Sequence, residues 1–276
     1  MNKCLEKVYE ILFIKKFLNQ EWQKVKLIKK KYISDDTLLL TFYYSKNPIY
    51  SYILGLDLGK HILVKINNNI ISKNKEYWNN NINNEEYIIR KYTPIKLDYN
   101  TFDLLIKIYR PTNNFIDGGK MGRHIENLNI NDYILVKGPC GRINIENILF
   151  NKKINKLILI AGGSGITPIY QVITYIIKKK LNINMTLIYA NKTFNDILLL
   201  DELLNYSKYL NLIFFLENYN NNLNYNYYNK YKLLKGYITE NIIEQDINNL
   251  YLLCGPPPMI NCVNKFIKLK NNIIIL

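Results

Sequence analysis

The sequence predicts two domains of different class: an all-β barrel or sandwich, then an α/β domain built on a parallel sheet. Two rhythms carry that prediction. From about residue 23 to 140, short β-prone runs are separated by Gly, Pro, Asn and Asp: TLLLTFYY (37–44), HILVKI (61–66), YIIRKY (87–92), FDLLIKIY (102–109) and YILVK (133–137). Short strands with turn signals between them build barrels and sandwiches. One short helix interrupts them after Gly118-Gly119. From about 155, apolar strands alternate with helices: KLILIA (156–161), MTLIYA (185–190), LIFFL (212–216) and LYLLC (250–254). Between the first two, Ile169, Val172, Ile173, Ile176 and Ile177 recur at helical spacing. Further helices are expected over roughly 195–209 and from about 257. Such alternation means a parallel sheet covered on both faces. The boundaries follow as an extension over 1–22, a β domain over 23–148 and an α/β domain over 149–276.

Composition sets the limits. Hydrophobic residues make up 48% of the 276, enough for sizeable cores and too many for wholesale disorder. Asn and Lys crowd nearly every segment, which reads as codon bias rather than function. The formal net charge of +15 favours acidic partners: nucleic acid, anionic membrane or an acidic protein. Cheap lysine substitution on the surface is the plain alternative. Cys4, Cys140, Cys254 and Cys262 form no CxxC pair, and His61 and His124 are the only histidines. A disulfide framework and a zinc site are therefore not expected, and a reducing compartment is. No run of about eighteen apolar residues is present to cross a membrane. Residues 1–22 read as a packed or frayed helix, with a weakly amphipathic membrane-surface helix as the alternative. The Asn-rich stretches 66–84 and 218–230 read as swollen surface loops.

Four motifs carry chemistry. LILIAGGSGITPIYQVI (157–173) is a strand, a glycine turn and a helix start, in which Thr167 can cap the helix and Pro168 suits its first turn. A phosphate or ribose can meet such a helix start, yet the pattern is neither GxGxxG nor a P-loop. RKYTP (90–94) ends a β run with an Arg suited to phosphate and a Tyr that can stack. DGGKMGRHIENL (117–128) is a second glycine turn into a helix start. LLCGPPPMI (252–260) drives a buried strand into a glycine and three prolines. Each alone is a weak signal.

In this order, and with ILGLDLGKHI (53–62), GPCGRI (138–143) and YANKTFNDILL (189–199), the set resembles the ferredoxin–NADP reductase superfamily. Within it the likeness is greatest to the NADH–cytochrome b5 reductases. The resemblance spans roughly residues 23 to 260. It implies an N-terminal six-stranded antiparallel β-barrel holding FAD and a C-terminal Rossmann-like parallel sheet holding NADH. By the same resemblance Arg90 binds the FAD pyrophosphate, Tyr92 packs on the flavin or ribityl side, Thr93 hydrogen-bonds near flavin N5, and Pro94 closes that motif. Lys107 and Tyr109 line the same cofactor, and Gly119, Lys120, Met121 and Gly122 offer backbone N–H groups to its phosphates. Gly162, Gly163, Gly165 and Thr167 border NADH, with Thr167 also near the flavin. Cys254, Gly255, Pro256 and Met259 hold the nicotinamide end, and Glu217 takes the place of the family's adenosine-ribose carboxylate, which favours NADH over NADPH.

Three departures stand out. Gly122 replaces a usual Ser, the chain reads NIIIL where relatives end in an aromatic residue, and the Asn-rich 66–84 precedes RKYTP. The implied mechanism needs no side-chain nucleophile: NADH reduces the flavin, which releases electrons singly. Thr93, Thr167 and Cys254 are the residues placed at the reaction, Cys254 as a packing and positioning group. The implied partner is cytochrome b5 or another acidic electron acceptor, steered by the positive charge. A ferredoxin or iron–sulfur acceptor is the rival, and a basic nucleic-acid-binding protein the distant one. A monomer is expected, cytoplasmic or peripheral on the endoplasmic reticulum or mitochondrial outer membrane.

Overall fold

The computed structural model describes residues 14–47, 50–67, 87–113, 115–151, 154–219 and 230–276. The proposed N-terminal helix, Cys4 and most of both Asn-rich stretches lie outside the described residues. The chain divides into two compact units, Met1–Arg142 and Ile143–Leu276.

In the first unit the strands are β1 (Ile14–Lys16), β2 (Gln23–Ser34), β3 (Thr37–Tyr43), β4 (Ser51–Ile53), β5 (His61–Asn67), β6 (Tyr87–Tyr92), β7 (Lys96–Asp98), β8 (Thr101–Lys107) and β9 (Tyr133–Cys140). The helix α1 (Lys120–Asn127) precedes β9. Strand alternation explains the sheet. Leu38, Leu40 and Phe42 on β3, Ile62, Val64 and Ile66 on β5, and Phe102, Leu104 and Ile106 on β8 all point into one core. Side chains buried this fully contribute about 1.5–3 kcal/mol each, and a one-residue slip would expose the whole set. The Phe42 and Phe102 rings stack with centroids 5.5 Å apart, which pins the register of β3 on β8.

The sheet is antiparallel throughout, in the order β6-β5-β9-β2-β3-β8-β7, while β1 and β4 form a separate parallel pair. It therefore carries seven strands. The one beyond the expected six is the short edge β7. The twelve-residue β2 is missing from the β-prone runs named from the sequence, because its solvent face carries Lys24, Lys29 and Lys31.

In the second unit, α2 (Ile145–Asn151), β10 (Lys156–Gly162), α3 (Ile166–Lys178), β11 (Asn184–Asn191), α4 (Leu200–Asn205), β12 (Leu210–Leu216), β13 (Tyr231–Lys235), β14 (Asn249–Cys254), α5 (Pro257–Phe266) and β15 (Ile273–Ile275) follow in order. All six strands are parallel, in the order β13-β12-β11-β10-β14-β15. Leu157 to Ala161 are almost wholly buried, as a central strand covered on both faces requires. On α3, Ile169, Val172, Ile173 and Ile176 face the core as the periodicity predicts, and Ile177 stays half-buried at its edge.

One helix differs from expectation. The stretch 195–209 is a 3₁₀ turn over Phe194–Asp196 and then α4, separated by Leu199 with φ +60°. Thr193 and Asp196 close the turn as a capping box, and the left-handed Leu199 stops a continuous helix from forming. The sheet also reverses direction of growth at β10: β11 lies on one side and β14 on the other. Ligands bind at such switch points, beyond the carboxyl ends of the strands.

Candidate functional site

In the first unit, the alternation of β6 puts Ile88, Arg90 and Tyr92 on one side. Arg90 lies opposite Val64 and Tyr92 opposite Ile62, both core positions. The core ends before Arg90, whose guanidinium is exposed and donates to the Ile89 carbonyl at 2.8 Å. Tyr92 packs on the core, and its phenol pKa is raised by burial, with the Arg90 charge opposing and Tyr109 adding to the shift. Thr93 and Pro94 are buried directly after the strand. The Ile95 N–H then donates to the Asp103 carbonyl at 3.0 Å, turning the chain into β7.

The helix α1 lies against β6. Its start has no side-chain cap and no acidic residue in the first turn, although Asp117 stands three residues ahead of it. The Gly119 N–H, expected among the phosphate donors, is instead bonded to the Tyr109 carbonyl at 2.6 Å. That bond ties the turn to the segment that follows β8, so the Gly119 N–H is satisfied within the protein. Gly122 packs on the backbone of Ile108 and Tyr109, where an added Cβ would stand 3.5 Å from Ile108 Cα, an ordinary contact. Lys107 is paired with Asp36 at 3.0 Å, in the turn between β2 and β3.

Sequence reasoning missed what grips the other end of α1. Lys30 donates to the carbonyls of Glu126 at 2.7 Å and Leu128 at 2.8 Å, closing the helix C-terminus. Tyr32 donates to the Glu126 carboxylate at 2.8 Å, and Arg110 bonds the same carboxylate as well as the Asp35 carbonyl. Desolvation lowers the Lys30 pKa, against the pull of Glu126 and Asp132. Inside the helix His124 is 8% exposed, and burial holds its pKa down to about 4. Its imidazole is neutral at neutral pH.

In the second unit, β10 and β14 are neighbours, with Ala161 opposite Cys254. Their two glycine joints therefore lie side by side at the carboxyl edge. A Cβ at Gly165 would overlap the Cys254 carbonyl and stand 2.8 Å from the Gly255 nitrogen. One at Gly162 would stand 2.7 Å from the Met259 sulfur, and one at Gly255 2.6 Å from the Met259 methyl carbon. These glycines let the turns pack on each other. Gly163 differs: it has φ +51° and open space where a side chain would be, and its carbonyl accepts from the Tyr189 hydroxyl at 2.9 Å.

Thr167 is not the cap of α3. The helix begins at Ile166 with Gly165 as N-cap, so Thr167 sits inside the first turn and donates to the Ser164 carbonyl at 3.3 Å. Pro168 occupies the first turn as expected, and Pro257 and Pro258 open α5 after the N-cap Pro256. The Cys254 thiol is pushed up to about 11 by burial and donates weakly to the Leu276 carbonyl at 3.6 Å. The non-aromatic residues after Asn272 run along β14 as β15, so Leu276 stands beside Cys254.

Glu217 follows β12 at the same edge, exposed, with its N–H on the Asn191 carbonyl at 3.1 Å. Asn191, which closes β11, is 6% exposed, and both polar atoms of its amide lack a protein partner. A buried, unsatisfied amide beside a ribose-type carboxylate fits a bound dinucleotide. The cue in the sequence was an Asn closing the buried run MTLIYA.

An uncapped helix start beside an Arg and a Tyr, and a parallel-sheet edge with packed glycine joints and a carboxylate, are the features expected of a flavin- and pyridine-nucleotide-dependent oxidoreductase. Comparison with known proteins bears this out. Residues 24–145 match the oxidoreductase FAD-binding domain and 159–265 the oxidoreductase NAD-binding domain. NADH-cytochrome b5 reductase 2 of Mus musculus is 33% identical over 262 residues, 85% of this chain and 85% of that protein. NADH-cytochrome b5 reductase 1 of Meyerozyma guilliermondii is 33% identical over 252 residues, 88% of this chain and 77% of that protein. The chain belongs to the NADH–cytochrome b5 reductase family, and its cofactors are FAD and NADH.

An NADH nitrate reductase of Oryza sativa is 34% identical over 255 residues, but the chain spans only 25% of its length. The solved cytochrome b5 reductase domain of Ulva prolifera nitrate reductase superposes with a TM-score of 0.77 at 25% identity, covering 95% of this chain and all of that one.

Proposed function

We propose that this protein draws electrons from NADH and delivers them one at a time, through FAD, to cytochrome b5 or a similar acidic acceptor. The observation that carries this reading is the meeting of the two glycine joints at the carboxyl edge of a parallel sheet, in a chain of the NADH–cytochrome b5 reductase family. The thiol of Cys254 is held protonated by burial, its pKa pushed up to about 11. When bound, the two cofactors supply the redox chemistry themselves.

The chain's residues bind, orient and keep water out. Arg90 and the start of α1 answer the pyrophosphate charge, and Tyr92 gives the ring system an apolar wall. Thr93, almost buried, offers a hydroxyl that can donate a hydrogen bond without being consumed, while the Thr167 hydroxyl, already donating to the Ser164 carbonyl, keeps its lone pairs to accept one. Met259 and Cys254 fill the edge beside the nicotinamide seat. Glu217 accepts from a ribose hydroxyl and repels a phosphate in its place, favouring NADH.

The surplus of positive charge supports an acidic protein as acceptor. Among the described residues no helix is long and apolar enough to cross a membrane, and the working location in this reading is cytoplasmic or peripheral to a membrane. The test is reduction of a panel of acceptors by the FAD-loaded protein with NADH. Cytochrome b5 should be reduced faster than a ferredoxin, and the advantage should shrink as salt is added. Preference for the ferredoxin, or a salt-independent rate, would remove the acceptor assignment. Failure to take up FAD would remove the whole reading.

A further inference from the structure

The four neighbouring strands β6, β5, β9 and β2 have an outer face that the cofactor reading leaves unused. The register sets its pattern. Lys65 lies between Ile89 and Leu135, Leu135 lies between Lys65 and Lys24, and Leu63 lies between Lys91 and Lys137. Tyr133 is opposite Lys26. Across the strands each lysine meets an apolar side chain and none meets another lysine, so no like charges oppose each other.

None of the outward positions on these four strands is acidic. Tyr87, Ile89 and Tyr133 are exposed by 44%, 42% and 56%, a high value for large apolar groups. The Lys65 ammonium lies 4.7 Å from the Trp22 ring and 4.6 Å from the Tyr87 ring, so the cation is seated in aromatic surface. Nearby, the His61 pKa is lowered, by burial first and then by the Lys91 and Lys60 charges, as expected on a positive face.

We infer that this outer face is a docking surface for an anionic lipid bilayer, with Tyr133, Ile89 and Tyr87 entering the headgroup layer and the lysines meeting its charge. Two arguments favour lipid over a protein partner. Four strands spaced about 4.8 Å apart, with side-chain rows roughly 20 Å long, give a footprint of about 300 Å², well below the ~800 Å² per partner of a stable protein interface. Lysines with apolar stems among tyrosines and a tryptophan also suit the bilayer interface, where ammonium groups reach the headgroups and rings sit between water and hydrocarbon. An electron acceptor is disfavoured for a further reason that rests on the cofactor reading: Arg90 and Tyr92 leave β6 on the opposite side from Ile89 and Lys91.

The test uses the full-length, FAD-loaded protein and co-sedimentation with vesicles of phosphatidylcholine, pure or containing roughly a third phosphatidylserine. Binding is expected only with phosphatidylserine and should be lost at roughly 0.5 M NaCl. Lys24→Glu with Lys65→Glu should lower the partition coefficient at least about tenfold, and Ile89→Ser with Tyr133→Ser should lower it severalfold. Flavin content and the NADH–ferricyanide rate should stay unchanged in both, which separates this proposal from the cofactor reading. Equal binding to pure phosphatidylcholine, no binding at low salt, or binding that survives both double variants would overturn it. So would unchanged vesicle binding in the charge variant together with slower reduction of an acidic electron carrier, which would make the face a protein dock.

Discussion

Two glycine turns lead into helices in this molecule, one at α1 and one at α3, and they use glycine for opposite reasons. At α1 an added Cβ at Gly122 meets its neighbours at 3.5 Å, so a side chain has room. At α3 an added Cβ at Gly165 would be only 2.6 Å from the Cys254 carbonyl carbon. The first turn is held by one backbone hydrogen bond, Gly119 N–H to the Tyr109 carbonyl, and by the clamp of Lys30, Tyr32 and Arg110 on the far end of the helix. The second is held by direct backbone packing against the joint after β14. Glycine in a nucleotide-binding turn is therefore a weak guide to ligand contact until its protein neighbours are known.

The sharpest way to break this contrast is Gly165→Ala. It forces the two joints apart, and an overpacked, inextensible site of this kind should lose about 3 kcal/mol, read by denaturant unfolding, along with NADH binding. A loss as small as that of Gly122→Ala would end the distinction. Acid tests the other turn next. His124 is charged more readily unfolded than folded, so the stability it contributes is complete above pH 6.5 and is lost as pH falls toward about 4. The unfolding midpoint should drop across that window, and His124→Gln should flatten the profile.

Lys30→Met should follow in size. Removing the donor leaves the Glu126 and Leu128 carbonyls unanswered at a cost of about 1–2 kcal/mol, with weaker FAD retention measured by fluorescence titration of the apoprotein. An unchanged flavin affinity would show that the far end of α1 does not position its start. The smallest effect belongs to Gly122→Ser. Stability should move by less than about 0.5 kcal/mol, because there is room for Cβ, while FAD binding tightens a fewfold through the added hydroxyl.

What the sequence made legible was local. YIIRKY becomes β6 with the predicted bounds, since alternation and β-branched residues specify it without help. The isoleucine spacing of α3 holds for the same reason. The readings that failed depended on something distant or on backbone geometry. β2 was passed over because lysines fill much of its water-facing side. The helix over 195–209 breaks at a leucine whose left-handed conformation no composition rule foretells. Thr167 looked like a cap because Thr-Pro usually opens a helix, yet the helix starts earlier, at Ile166, directly off the glycine turn with Gly165 as its N-cap. The mutual fit of Gly165 and Gly255 joins residues ninety positions apart, so no local window contains it. The unsatisfied Asn191 becomes visible only once its burial is known.

That long-range fit has a consequence for how the protein is made. The edge proposed to seat the nucleotide in the second unit is assembled from an early segment, Gly162 to Gly165, and a late one, Cys254 to Met259. Closing so long a loop carries an entropic cost, and contacts of this separation form late in folding. Until β14 has taken its place beside β10, the early turn lacks the wall it packs against. Capture of the nicotinamide nucleotide should then act as a completion signal for the sheet. A chain arrested before β14 on the ribosome would have its glycine turn translated but no dinucleotide site to offer.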